Sequence, residues 1–146
     1  MNCNENYYEL IGSIEAYPDG SVTFGRPFNM ERKSDVPDFE VTGDQKISIQ
    51  MKPKSGSVKE SSASSVAGDS YEVTVSWEIE RVVRETYVQL ETLKNTINHL
   101  IVNTFGDGKM FIRAVKDAYD FHYEEGEGVI TCTLTIHNIT GVQRIV

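Results

Sequence analysis

The chain is poor in the residues that most often signal chemistry. Its 146 residues include two cysteines, three histidines and one tryptophan. Cys3 and Cys132 lie at opposite ends of the chain. They form neither a metal-ligand spacing nor a disulfide framework, so a reducing cytosolic setting is the expectation. Basic residues are scarce as well: 14 Lys and Arg stand against 22 Asp and Glu, a net charge of −8. Affinity for nucleic-acid backbones comes from Lys and Arg, so tight nucleic-acid binding is not expected. The densest basic group, Arg32 and Lys33 with Lys52, Lys54 and Lys59, is small. No apolar run is long enough to span a bilayer, and none follows Met1, so neither a membrane partner nor a signal peptide is expected. The length suits one α+β domain over residues 1–146, large enough to bury a core without disulfide or metal staples.

What the chain does have is a serine-rich segment. Residues 52–70 read KPKSGSVKESSASSVAGDS, with seven serines and no aromatic residue. Apolar alternation precedes it at Ile47, Ile49 and Met51, and follows it at Tyr71, Val73, Val75, Trp77 and Ile79. Period-two alternation predicts half-buried strands on both sides, antiparallel to each other, with residues 52–70 as a long protruding hairpin arm. Loops of this length inside a compact domain are uncommon and are usually functional or disordered.

Two further hairpins are expected. Tyr17-Pro18-Asp19-Gly20 is a strong turn signal. It predicts that residues 7–16 pair with residues 21–28, Ala16 facing Val22 and Ile14 facing Phe24. Near the C-terminus, Tyr119, Phe121 and Tyr123 alternate with polar residues, as do Ile130, Cys132, Leu134 and Ile136. Joining them through Glu125-Gly126-Glu127-Gly128 predicts that Tyr123 faces Ile130 and Phe121 faces Cys132. Between the hairpins, Thr86 and Gln89 have the spacing of a capping box, and Tyr87, Leu90, Leu93, Ile97, Leu100 and Ile101 recur at helical spacing. A helix over about 86–105, stopped by Gly106, follows. Phe39–Val41 reads as a short strand, 110–115 as another, and 29–38 as a loop. The fold class is therefore α+β: a mostly antiparallel sheet or partial barrel with one central helix and the 52–70 arm.

No set of residues amounts to a catalytic centre. His122 and His137 read as solvent-facing strand residues, and His99 as the boundary of the helix's apolar face. Cys132 falls on the inward side of its strand, where a cysteine behaves as a small hydrophobe. Gly106-Asp107-Gly108-Lys109 lacks phosphate-loop spacing and follows a helix instead of preceding one. Glu124, Glu125 and Glu127 lack the ligand pattern of a calcium loop. Asn138-Ile139-Thr140 matches a glycosylation acceptor only by chance in a chain not expected to be secreted. The row Thr131, Thr133, Thr135 is the polar side of a strand. No enzyme, no metal and no cofactor is expected.

A small acidic chain with an extended hairpin arm, one central helix, β-hairpins on both sides and no catalytic set resembles the ring-forming structural subunits of tailed-phage virions. Tail tube, tail terminator and head–tail connector subunits share this layout. The resemblance implies a self-assembling homo-oligomer whose partners are other assembly proteins. It implies a location in the virion, or in the cytoplasm of the producing bacterial cell. It also implies that the arm reaches a neighbouring subunit and that an acidic ring lumen passes DNA. The candidate contact residues on the arm are Lys52, Lys54, Lys59, Ser61, Ser62, Ser64 and Ser65. A monomeric or dimeric cytosolic module that binds a protein or ligand through the same segment is the competing expectation.

Overall fold

A computed structural model describes residues 10–27, 30–43, 45–66, 68–106 and 108–145. The described residues form an α+β fold of mostly antiparallel strands with one α-helix and no closed barrel. The strands are β1 (Ile11–Pro18), β2 (Val22–Phe24), β3 (Phe39–Val41), β4 (Ile47–Ser48), β5 (Ser57–Ser65) and β6 (Gly68–Ile79). Helix α1 (Arg84–Asn95) follows, then β7 (Asn98–Thr104), β8 (Lys109–Ile112), β9 (Tyr119–Gly126), β10 (Val129–Asn138) and β11 (Val142–Arg144). They assemble as a five-stranded sheet in the order β11-β8-β7-β1-β4, a four-stranded sheet β5-β6-β10-β9 and a two-stranded flap β2-β3.

One hydrophobic cluster joins the two large sheets and the helix. The five-stranded sheet contributes Ile14, Ala16, Leu100, Val102 and Ile112, and the four-stranded sheet contributes Val75, Trp77, Phe121, Cys132 and Leu134. Leu90 and Leu93, one helical turn apart, close one side. Trp77 is fully buried and stacks on Phe121 with ring centroids 5.8 Å apart.

Several local expectations are corrected. Residues 7–16 and 21–28 do not form a hairpin where they are described. The Pro18-Asp19-Gly20 turn is present as a short 3-10 turn, with Ser21 Oγ donating to Pro18 O at 2.7 Å. It sends the chain out of the sheet, not back along it. β1 pairs with β7 and β4, and β2 pairs with β3. Residues 7–9 and Phe28, the outer ends of that expected hairpin, lie outside the described residues, as does Cys3. Likewise Ile47–Met51 does not pair across the serine segment: β4 lies on β1, and Ile49 N donates to Ile14 O at 3.0 Å.

The helix is shorter than its periodicity implied. It begins at Arg84, where Thr86 Oγ1 accepts the Val83 N–H at 3.1 Å, so Thr86 reaches back to the cap and is not itself the cap. After Asn95 the chain becomes β7. Ile97, Leu100 and Ile101 fit a helical period by coincidence. β7 is buried on both faces, and such strands lose the alternation that marks a strand. Gly106 sits in the β7–β8 connection.

The C-terminal hairpin is present, two residues out of the expected register. Tyr123 faces Cys132 and Phe121 faces Leu134. The turn is Glu127-Gly128, with φ of 55° and 81°. Two successive left-handed residues make the tight turn that matches strand twist. A slip of two residues preserves which side chains face inward, so the predicted core face survives.

Candidate functional site

Most of the serine-rich segment is strand, Ser57–Ser65 belonging to β5 and the residues from Gly68 to β6. Lys52 N donates to Glu78 O at 2.6 Å, Ser55 Oγ donates to Lys52 O, and Lys54 takes a left-handed φ of 66°. This turn folds the chain back onto the end of β6. β5 then runs antiparallel to β6 from Ser57↔Ser76 to Ser65↔Gly68. β6 pairs with β10 only as far as Tyr71↔Asn138. The last three rungs, Ala63↔Ser70, Ser64↔Asp69 and Ser65↔Gly68, project past the sheet as a two-stranded ribbon. At about 3.3 Å per residue the projection is roughly 10 Å before the turn. Its tip carries Val66, which is fully exposed.

The structure disperses the seven candidate contact residues. Lys52 pairs with Glu80 at 3.2 Å at the base of the segment, and Lys54 sits in the turn beside it. Lys59 and Ser61 share the outer face with Thr74 and Glu72. At the far end Ser64 Oγ donates to Asp69 Oδ1 at 2.8 Å and Ser65 Oγ donates to Gly68 O at 3.1 Å, while Ser62 stands opposite Tyr71. β5 pairs with β6 alone among the described residues and is an edge strand of its sheet. It carries no proline, and its register with β6 runs without a bulge.

The base of the projecting ribbon borders a cleft of about 960 Å³, lined by Arg32, Lys33, Glu60, Asp69, Tyr71 and Arg144 among others. Its floor is a clasp. The Lys33 ammonium donates to both oxygens of the Glu60 carboxylate and to Val142 O at 2.9 Å, and it lies 5.3 Å from the Tyr71 ring centroid. Glu60 Oε1 also accepts the Val142 N–H at 3.0 Å. Gln143 Nε2 donates to Arg32 O at 3.1 Å. These contacts tie the loop after residue 30, the arm and β11 together. Sequence reading missed Lys33, Glu60 and Tyr71 because each acquires its partner only through distant chain crossings.

Gly141 supports this clasp. Its φ is +62°, and a Cβ there would collide with Glu60 Oε1 and touch Tyr71. Gly141→Ala should therefore lower stability by roughly 1–3 kcal/mol, the usual cost of a strained left-handed residue. Gly43→Ala has a comparable positive φ and open space around it, so it should cost less. Equal losses in denaturant melts would show that the Glu60 contact contributes nothing.

Of the groups able to attack or relay a proton, Cys132 and His99 are buried and Tyr119 is half-buried against the core. Cys132 is fully buried, and burial pushes its thiol up to about 12, so it stays protonated. Tyr119 Oη donates to Leu93 O at 2.9 Å, and burial raises it to about 12. His99 is on β7 and buried, not at a helix boundary. His122 and His137 are exposed on the sheet's outer face, as expected. Asn138 is buried: its Nδ2 donates to Arg113 O at 2.7 Å and its Oδ1 accepts the Gly141 N–H at 2.6 Å. The atom that would carry a glycan is thus occupied. Glu125 Oε1 accepts the Tyr87 hydroxyl at 2.7 Å. Among the described residues no three His, Cys, Asp or Glu side chains converge as metal ligands, and no helix is long and apolar enough to cross a membrane.

Sequence reading also missed a second polar cluster on the outer face of the five-stranded sheet. Arg113 and Glu31 pair at 2.8 Å with side chains 2% and 0% exposed. The Arg113 guanidinium lies 3.9 Å from the Phe24 ring centroid, and Phe39 stacks on Phe111 at 4.1 Å. This cluster is how the β2-β3 flap is held. Comparison with protein-family models finds no matching family, and comparison with curated proteins and with solved structures finds no match.

Proposed function

We propose that this chain is a non-enzymatic structural subunit that self-assembles, of the ring-forming kind found in phage tails and necks, with residues 52–70 as its inter-subunit arm. The observation that carries the reading is the β5 edge, which runs nine residues and ends in a ribbon projecting beyond its own sheet. A strand edge offers N–H and C=O groups that can pair with another chain, and beyond Lys59 and Glu60 β5 carries only serine and alanine. β9 forms the other edge of the same four-stranded sheet. With an even number of antiparallel strands, a copy rotated about an axis along the strands would lay its β5 antiparallel to β9. That contact is head-to-tail, and such contacts close into rings or extend into filaments. The acidic balance suits a conduit for DNA, and virion assembly proteins are the natural further partners.

A competing reading is a monomeric or dimeric module that binds a protein or ligand. The cleft of about 960 Å³ with Arg32, Tyr71 and Arg144 on its walls favours it.

Mass measurement under native conditions separates the two. The wild-type chain should form an oligomer of several copies or polymerise. Replacing Ser64–Asp69 with Asn-Gly shortens the ribbon while keeping the Ala63↔Ser70 rung and the Glu60 clasp. That variant should keep its fold, since loop length affects closure entropy only weakly, and should lose assembly. A wild-type chain that stays monomeric at all concentrations, or a trimmed chain that assembles as before, would sink the proposal.

A further inference from the structure

We infer that His99 is an acid-labile latch: a neutral imidazole holds the start of the β2-β3 flap against the five-stranded sheet, and protonation releases it. The side chain is 1% exposed. Both ring nitrogens are committed. Nδ1 accepts the Ala114 N–H at 3.0 Å, so it carries no proton, and Nε2–H therefore donates to Asp19 Oδ1 at 2.7 Å. Asp19 lies in the 3-10 turn that leads into β2, and its own N–H donates to Ile97 O at 2.9 Å. Phe24 of β2 meets the imidazole edge-on at 5.2 Å, and Phe111 stacks beneath it at 6.1 Å. The ring thus joins the turn, the flap and two strands of the sheet.

A second proton has one place to go, Nδ1, where it would point at the Ala114 N–H. Two donors would then face each other in a buried site, and an orphaned buried donor is costly. The charged groups around the ring do not reverse this. Asp19 from the turn favours the cation, but its side chain is 63% exposed and its field is screened accordingly. Arg113, beyond β8, opposes the cation and is itself paired with Glu31 of the flap loop. Arg26 and Asp38 act on Arg113 in turn. Tyr17 on β1 stands opposite His99 in the register, with Glu15 two residues before it paired to Lys46. β2 and β3 present Phe24 and Phe39. Burial, the largest influence, pulls the imidazole below its ordinary value. The sign follows: a base whose folded-state value is depressed binds fewer protons folded than unlatched, so closure is favoured at neutral pH and weakens as pH falls through the ordinary histidine range. The Glu31–Arg113 pair holds the middle of the flap, so release begins at residues 19–24.

The test is amide hydrogen exchange of the full chain between pH 7 and 5, corrected for intrinsic rates, with His99 ring protons followed by NMR. Opening of residues 19–25 and 39–42 should rise roughly tenfold, with a ceiling of about 25-fold set by the ordinary histidine value near 6.5. Amides of β6 and β10 should not follow. His99→Asn, whose Oδ1 can still accept the Ala114 N–H, should flatten the response. Asp19→Asn keeps an acceptor while removing the compensating charge, and should deepen it. A flap whose opening is constant over this window overturns the latch. So does an equal acid response in His99→Asn, a weaker one in Asp19→Asn, or a His99 ring that titrates at or above the ordinary value.

Discussion

Glu31→Ala should destabilise the protein by roughly 3–5 kcal/mol, the usual loss when one member of a buried ion pair is removed. The Arg113 side chain is 2% exposed and its guanidinium cannot shed its charge at neutral pH. With Glu31 present, the carboxylate lies 2.8 Å away and the Phe24 ring covers one face of the guanidinium. Without it, a buried cation beneath the flap loses the carboxylate that does most to offset its field, Asp38 contributing less. The alternative for the protein is to open the flap and hydrate Arg113, which forfeits the Phe24 and Phe39 contacts with Phe111. Either route loses stability, and the second also raises amide exchange in β2 and β3. The double substitution Glu31→Leu with Arg113→Met separates charge from packing. Well-packed apolar replacements of buried pairs are often neutral or stabilising, so it should recover most of the loss. A Glu31→Ala variant within about 1 kcal/mol of wild type in denaturant melts would mean that the pair is hydrated in solution and the flap is not held as described.

Trp77→Ala should cost a similar roughly 3–5 kcal/mol, for a different reason. Trp77 is the largest fully buried side chain, sits near the C-terminal end of β6 opposite Cys132 and stacks on Phe121. It bridges three adjacent strands of the four-stranded sheet at the centre of the core shared with the other sheet. Truncation removes transfer free energy and leaves a cavity that the surrounding strands, pinned by their ladders, can only partly fill. Glu78→Ala, one residue on and facing the other way, should fall within about 0.5 kcal/mol, as surface substitutions usually do. Its backbone bonds to Lys52 and Ser55 do not depend on the side chain. Comparable losses from the two variants would contradict the assigned strand face.

Much of the candidate site was visible from residue order in outline and wrong in mechanism. Residues 52–70 stood out by composition, and the hairpin character was legible from the strand that follows. The partner was misassigned. Val58 and the serines pair with β6 themselves, displacing Ile47–Met51, which lies on β1. Serine has little strand preference of its own, so nothing local marked Ser57–Ser65 as a strand; cross-strand pairing with Val73 and Val75 and the Glu60 clasp supplied what propensity did not. The clasp was invisible because Lys33, Glu60 and Val142 are separated by 27 and 82 residues along the chain.

The residue order alone determined which side chains face inward on β6, β9 and β10, because alternation is a property of single strands and survives a two-residue slip in register. It also determined the fold class and the helix that carries the buried Leu90 and Leu93. Only the tertiary structure decided who pairs with whom. Amphipathicity says that a strand needs a partner but not which one, and β1 found β7 more than eighty residues away instead of the adjacent β2. The same limit applied to β7, where burial on both faces erased the alternation and imitated a helix. It applied to Glu31, Arg113 and His99 as well. A buried charge or imidazole is stable only with partners in place, and those partners come together only when the flap folds over the sheet.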